Sequence, residues 1–142
     1  MAETYFEDLA VGKELPPLVQ HVTTQQLVFW AAGSGDFYQI HYDKDYALGN
    51  NLPGVIVHGA LKHAIMGRYL DELAGPKGFV HEFQVSFRGM DQPGHDMSVK
   101  GTVTGKRVED DKHLVDLEIW TESYEGKKTT PGTAVVELPA RN

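Results

Sequence analysis

The segment Val55-Ile56-Val57-His58-Gly59-Ala60-Leu61-Lys62-His63-Ala64-Ile65-Met66-Gly67-Arg68-Tyr69-Leu70-Asp71-Glu72-Leu73-Ala74 decides the fold. Ala60, Leu61, Ala64, Ile65, Leu70 and Leu73 follow near-helical spacing, and Ala74-Gly75-Pro76 closes the run with a C-terminal glycine and a breaker. It is the longest helix the sequence predicts, and it is apolar enough to be largely buried. After residue 78 the period falls to two. Phe79, His81, Phe83, Val85 and Phe87 then share one face of a strand whose other face carries Glu82, Gln84, Ser86 and Arg88. Three more strand-like runs, Met97–Val108, Leu114–Tyr124 and Thr130–Leu138, are separated by polar turns at Asp91–Asp96, Glu109–His113 and Glu125–Lys128.

Upstream of the long helix, residues 15–22 read as extended, because Pro16 and Pro17 reject a helix interior while Val19 and Val22 suit a strand. Thr23 followed by Gln26 is a capping box that opens a short helix through Leu27, Val28, Trp30 and Ala31, and Gly33-Ser34-Gly35 stops it. Asp36 to Pro53 has no sustained period and reads as a long loop with one turn of helix after Asp43. Loops of that length in compact domains are usually functional or mobile. One early strand, a long central helix and four consecutive strands make an α+β arrangement, an antiparallel β-sheet wrapped on the helix. Such a sheet leaves a face or an edge to be covered, and dimerisation is the expected remedy.

Composition narrows the function. The 142 residues hold 20 Asp plus Glu against 13 Lys plus Arg, for a net charge of -7, and no cysteine. Residues 1–142 are read as a single domain, with no repeat or linker dividing them. Without cysteine there is no disulfide framework, thiolate zinc site, iron–sulfur cluster or cysteine nucleophile. No basic run offers the footprint of a nucleic-acid binder, and no apolar stretch reaches the ~18 residues of a spanning helix. The opening Met1-Ala2-Glu3-Thr4-Tyr5-Phe6-Glu7-Asp8 lacks a basic region ahead of an apolar core, so a cytoplasmic location is expected.

The densest polar constellation is Gly33-Ser34-Gly35-Asp36-Phe37-Tyr38-Gln39-Ile40-His41-Tyr42-Asp43. Asp36 and His41, five apart, fall on different faces of a strand or a helix and converge only on a loop. There a carboxylate and an imidazole can share one water, the pairing that general acid–base catalysis uses. The alternative is that Asp36 caps a turn and His41 is structural. At His58-Gly59 the long helix begins. Its first N–H groups and positive dipole end can receive a developing oxyanion through the Gly59 N–H, or Gly59 is simply a small residue at a close contact. His58 and His63 are also five apart, which is not the helical i, i+4 spacing of a zinc pair, so no metal is expected. A Rossmann loop, a P-loop and a Gly-x-Ser-x-Gly elbow are all missing from the sequence. Phe37, Tyr38, Tyr42 and Tyr46 either line an acyl pocket or pack the loop, and His58 is a further candidate for the pocket wall.

Gly35-Asp36 followed by His41 and Asp43, then His58-Gly59 opening a long helix ahead of four strands, resembles the MaoC-like (R)-specific enoyl thioester hydratases and dehydratases of hot-dog fold. Phe6-Glu7-Asp8-Leu9-Ala10-Val11-Gly12 also resembles that family's opening turn, so the likeness covers nearly the whole chain. The resemblance implies a hydro-lyase in which Asp36 and His41 orient and deprotonate a water that adds to C3 of a trans-2-enoyl-CoA, giving the (R)-3-hydroxyacyl-CoA. The Gly59 N–H would hold the thioester oxygen. It implies no cofactor beyond the CoA thioester substrate, and a homodimer or a hetero-oligomer with another hot-dog chain. The chain departs from the family pattern where Tyr38-Gln39 replaces Asn-Pro, and residues 58–74 lack the helix hydroxyl often found there. Alternatives within the resemblance are a catalytic or silent subunit of a heteromeric hydratase acting, for example, on steroid side-chain CoA thioesters, and a 3-hydroxyacyl carrier-protein dehydratase. The basic residues Arg88, Lys100, Lys106 and Arg107 are scattered along the sequence, which favours CoA over an acidic carrier protein.

Overall fold

The computed structural model describes residues 3–141. After a 3-10 turn at Phe6–Asp8, the elements are β1 (Leu18–Val22), α1 (Thr24–Ser34), a second 3-10 turn (Gln39–His41), α2 (Lys44–Gly49), α3 (Gly59–Ala74), β2 (Phe79–Val85), β3 (His95–Glu109), β4 (Lys112–Glu122) and β5 (Lys128–Glu137). The strands form one antiparallel sheet in the order β1-β3-β4-β5-β2, with β1 and β2 at its two edges. The sheet curls around α3, which meets β2, β3, β4 and β5. This is the antiparallel sheet wrapped on a helix expected from the change of period at residue 78, and the hot-dog fold that the family resemblance implies.

Local signals in the sequence set several boundaries. The Thr23 hydroxyl accepts from the Gln26 N–H at 3.1 Å, the half of the capping box that starts α1. Gly35 ends that helix in the left-handed conformation, φ 78°, which costs glycine little. Asp43 caps α2 by accepting from the Tyr46 N–H at 3.0 Å, so the single turn expected after Asp43 is a helix of six residues.

Two expectations change. The long helix begins at Gly59, as expected, with residues 55–58 an irregular approach to it. Its buried stripe is Leu61, Lys62, Ile65, Met66, Tyr69, Leu70 and Leu73, while Ala60 and Ala64 face outward. The alternation along β2 also fails, because Val80 pairs with Val136 and Glu82 with Val135, which makes His81 a bulge. The extra residue reverses the phase. Val80 packs inward before it, Phe83 and Val85 after it, and Phe79 is left 63% exposed. Phe87 lies beyond the strand and is 56% exposed.

The core is a single cluster in which Leu61, Ile65, Met66, Leu70 and Leu73 of α3 meet Val99, Val103, Leu117, Ile119 and Val136 of the sheet. Each fully buried aliphatic chain contributes about 1.5–3 kcal/mol, so α3 is held by burial rather than by helix propensity. Tyr69 is carried into this core with its hydroxyl donating to the Pro16 carbonyl at 3.0 Å, and burial pushes its phenol up to about 12. No helix among the described residues is long and apolar enough to cross a membrane.

Candidate active site

The loop from Gly35 to Asp43 is folded back on the start of α3, and it brings together residues that are distant in sequence. The Ser34 hydroxyl donates to the Trp30 carbonyl at 2.6 Å and accepts from the Asp36 N–H at 3.2 Å, which aims the chain as it leaves α1. Asp36 Oδ1 in turn accepts from the Tyr38 N–H at 3.3 Å, an Asx-type turn. The 3-10 turn that follows places His41 inward, 8% exposed.

His41 is fixed by its ring. Nδ1 lies 2.8 Å from the Ile56 carbonyl, and a carbonyl can only accept, so Nδ1 carries the proton and Nε2 presents its lone pair. That Nε2 faces Asp36 Oδ2 at 4.0 Å. The separation is too long for a direct hydrogen bond, yet a single water oxygen can reach both atoms at about 2.8 Å. The Asp36 side chain is 45% exposed, so the pair opens to solvent on the carboxylate side. Asp36 and His41 therefore converge as the loop reading requires.

Behind them stands His58, the residue preceding α3. It is fully buried, its ring stacks on His41 with centroids 3.8 Å apart and planes 22° from parallel, and its Nε2 lies 3.2 Å from the Asp36 carbonyl. By the same acceptor argument Nε2 carries the proton, and Nδ1 is a buried atom without a partner among the described residues. Burial, followed by the neighbouring His41 imidazole, holds the His58 pKa below the usual histidine range. His58 is thus a wall behind the pair rather than an open pocket lining.

Asp36, His41 and His58 each bring one ligand-capable atom within 4.8 Å of the others. Two imidazoles stacked 22° from parallel hold their in-plane lone pairs in nearly parallel planes, a poor fit to the converging donors of a tetrahedral ion. His63, five residues after His58, stacks on Phe83 at 4.4 Å instead.

Gly59 opens α3 immediately after His58, so the first N–H groups of the helix lie beside the pair. A Cβ at Gly59 would sit 3.1 Å from the Phe87 ring, so an aromatic side chain rests against this turn. Phe37, Tyr38 and Tyr42 are about half exposed, and Phe37 meets Tyr42 edge-on at 6.4 Å while Tyr38 meets His41 at 6.2 Å. They form an open aromatic rim.

Sequence reasoning missed three participants. Lys62 is 2% exposed and bonds Asp91 Oδ2 at 3.0 Å, and Asp91, expected in a polar turn, is 3% exposed. The available signal was a lysine inside the apolar stripe of the long helix, which demands a buried acceptor. The Ile56 carbonyl left no signal at all, since any residue carries one.

An antiparallel sheet wrapped on a long helix defines a hot-dog fold, and here a carboxylate and an imidazole meet at that helix's amino end. The chain belongs to the MaoC-like dehydratase family: the family model for the MaoC like domain matches residues 10–123. Among solved structures it is similar to an (R)-hydratase from A. caviae involved in PHA biosynthesis, at TM-score 0.80 and 26% identity, covering 94% of this chain and 99% of that one. It is likewise similar to the R-hydratase PhaJ1 of Pseudomonas aeruginosa, at TM-score 0.83 and 25% identity, covering 96% and 86%. A 73-residue stretch, 50% of the chain, is 34% identical to the fatty acid synthase beta subunit TOXC of Cochliobolus carbonum, and the match spans 4% of that longer protein.

Proposed function

We propose that this hydro-lyase adds water reversibly to trans-2-enoyl-CoA, giving the (R)-3-hydroxyacyl-CoA. The observation that carries the reading is His41 Nε2 facing Asp36 Oδ2 at 4.0 Å while the opposite ring nitrogen is tied to the Ile56 carbonyl. Asp36 holds the water and His41 takes its proton as the oxygen bonds to C3. The electron pair of the double bond moves toward the thioester oxygen, where the Gly59 N–H stabilises it by about 3–4 kcal/mol, the scale of one oxyanion donor. Protonation at C2 completes the addition, and His41 returns to the neutral form. The chemistry calls for no metal or other cofactor. The similarity to two (R)-hydratases supports the stereochemistry.

The edge strands β1 and β2 support a homodimer as the working assembly, because an unpaired edge is a template for another chain. A CoA thioester rather than a carrier-protein substrate fits the net charge of -7. A water-soluble substrate of this kind suits a cytoplasmic enzyme.

The test is hydration of crotonyl-CoA and longer enoyl-CoAs by purified protein. Asp36→Asn and His41→Gln are each expected to lower kcat by about 10²–10⁴-fold. Undiminished rates in both variants overturn the assignment.

A further inference from the structure

We propose that the buried Lys62–Asp91 pair is a positioning device for His41, acting through the short main-chain segment between them. The inference rests on the reading of His41 as the base. It starts from a connected path. Asp91 accepts the Val57 N–H on its main-chain oxygen at 2.8 Å, and the adjacent Ile56 carbonyl accepts the His41 Nδ1–H at 2.8 Å. The Ile56 N–H donates to the Ile40 carbonyl at 3.1 Å, so one residue grips both the ring of His41 and the residue before it. Where residues 56 and 57 sit therefore decides which way the imidazole points and which nitrogen carries its proton.

Nothing in residues 55–58 fixes that position by itself, because the segment belongs to no helix or strand. Asp91 does so from outside. Its Oδ2 accepts from Lys62 Nζ at 3.0 Å and from the Thr129 hydroxyl at 2.6 Å, and Lys62 Nζ also donates to the Gly89 carbonyl at 2.9 Å. The Thr129 carbonyl accepts the N–H groups of Arg88 and Gly89 at 3.0 and 2.8 Å. The segment 88–91 is thereby clamped between α3, through Lys62, and β5, through Thr129. Lys62 stands one turn beyond His58 on α3, so the same ammonium ties the helix that bears His58 and Gly59 to the strand-side anchor of Val57.

Energetics favours a positioning role over a stabilising one. A buried ion pair repays its desolvation only with good geometry and complete hydrogen bonding, and here Asp91 Oδ1 has no partner among the described residues. A pair of aliphatic residues would fill the same space without that cost. What an aliphatic pair cannot do is hold the Asp91 main chain at a set distance from Val57.

The experiment compares the native chain with two variants, Lys62→Met/Asp91→Asn, which removes both charges together, and Thr129→Val, which removes one bond to Asp91 and strands no charge. Circular dichroism and gel filtration establish that each variant is folded. Thr129→Val carries the test alone if the double variant is not. Two quantities are then read: kcat and KM for crotonyl-CoA, and the 15N resonances of His41, assigned by their loss in His41→Gln. The expected result is a fall in kcat of up to about a hundredfold, smaller in Thr129→Val, with KM little changed. The Nδ1-protonated signature of His41 should shift or broaden in parallel. A folded variant with native kcat and native His41 resonances overturns the proposal, and so does a fall in kcat with the resonances unmoved. If the native chain hydrates no enoyl-CoA, the hydratase reading fails by itself, and the resonances still decide whether Lys62 and Asp91 position His41.

Discussion

The imidazoles of His41 and His58 lie stacked, 3.8 Å between centroids and 22° from parallel, with the inner ring wholly removed from solvent. Two cationic rings at that distance would repel each other, so the proposed use of His41 as a base requires His58 to stay neutral. Asp36 is tied to the same inner ring through its carbonyl. One buried side chain therefore backs both members of the pair.

A pH dependence of stability follows. The folded-state pKa of His58 is lowered by burial and then by His41, so the unfolded chain binds the proton more readily. The contribution is fully present above the ordinary histidine value near 6.5 and is lost as pH falls below it toward the folded value. Urea midpoints measured between pH 7.5 and about 5 should fall, with a slope from this residue of at most about 1.4 kcal/mol per pH unit. His58→Phe keeps a ring in the stack without a titrating nitrogen, and it should flatten that slope. An unchanged slope would show that His58 does not titrate differently on folding.

Gly59→Ala tests the contact at the mouth of the helix. The added methyl would stand 3.1 Å from the Phe87 ring, closer than comfortable packing, so the ring must move. The variant should lower kcat/KM for an enoyl-CoA, and Phe87→Leu in the same chain should restore part of it. A double-mutant cycle is expected to give a coupling of about 0.5–2 kcal/mol.

Gly35→Ala should be costly for a different reason. Open space surrounds the position, but its φ of 78° strains a residue with a Cβ. A loss of about 1–2 kcal/mol in chemical unfolding is expected. Because Gly35 immediately precedes Asp36, kcat should fall as well.

Thr130→Val is expected to stabilise the fold. Thr130 is fully buried and its hydroxyl has no partner among the described residues, so the polar atom is desolvated without return. Replacing it with a methyl of similar shape should gain about 1 kcal/mol, read as a rise in Tm of about 2–5 °C. Thr129, equally buried but bonded to Asp91 and Thr121, should lose stability on the same change.

Local chemistry made much of this molecule legible. Thr23, Gly35 and Asp43 carry their capping and turn preferences in their own side chains or lack of one, and they mark helix ends where those ends occur. The change from helical to alternating period at residue 78 identified the layers, because burial on one face imposes a period on whatever element supplies it. Asp36, His41 and Gly59 stood out as residue types suited to proton transfer and oxyanion binding.

Tertiary structure decided the rest. The bulge at His81 reversed the inward face of β2, a change of phase that no alternation within the strand can announce, since it depends on pairing with β5. Lys62, a charge inside an apolar stripe, carried no reading from the sequence, because its partner Asp91 lies 29 residues away and only the fold brings the two together. Sequence alone selected the two side chains that can exchange a proton with water. Their meeting at 4.0 Å, the nitrogen that His41 offers and the neutral ring behind it depend on backbone carbonyls and on neighbours distant along the chain, which only the folded molecule brings within reach.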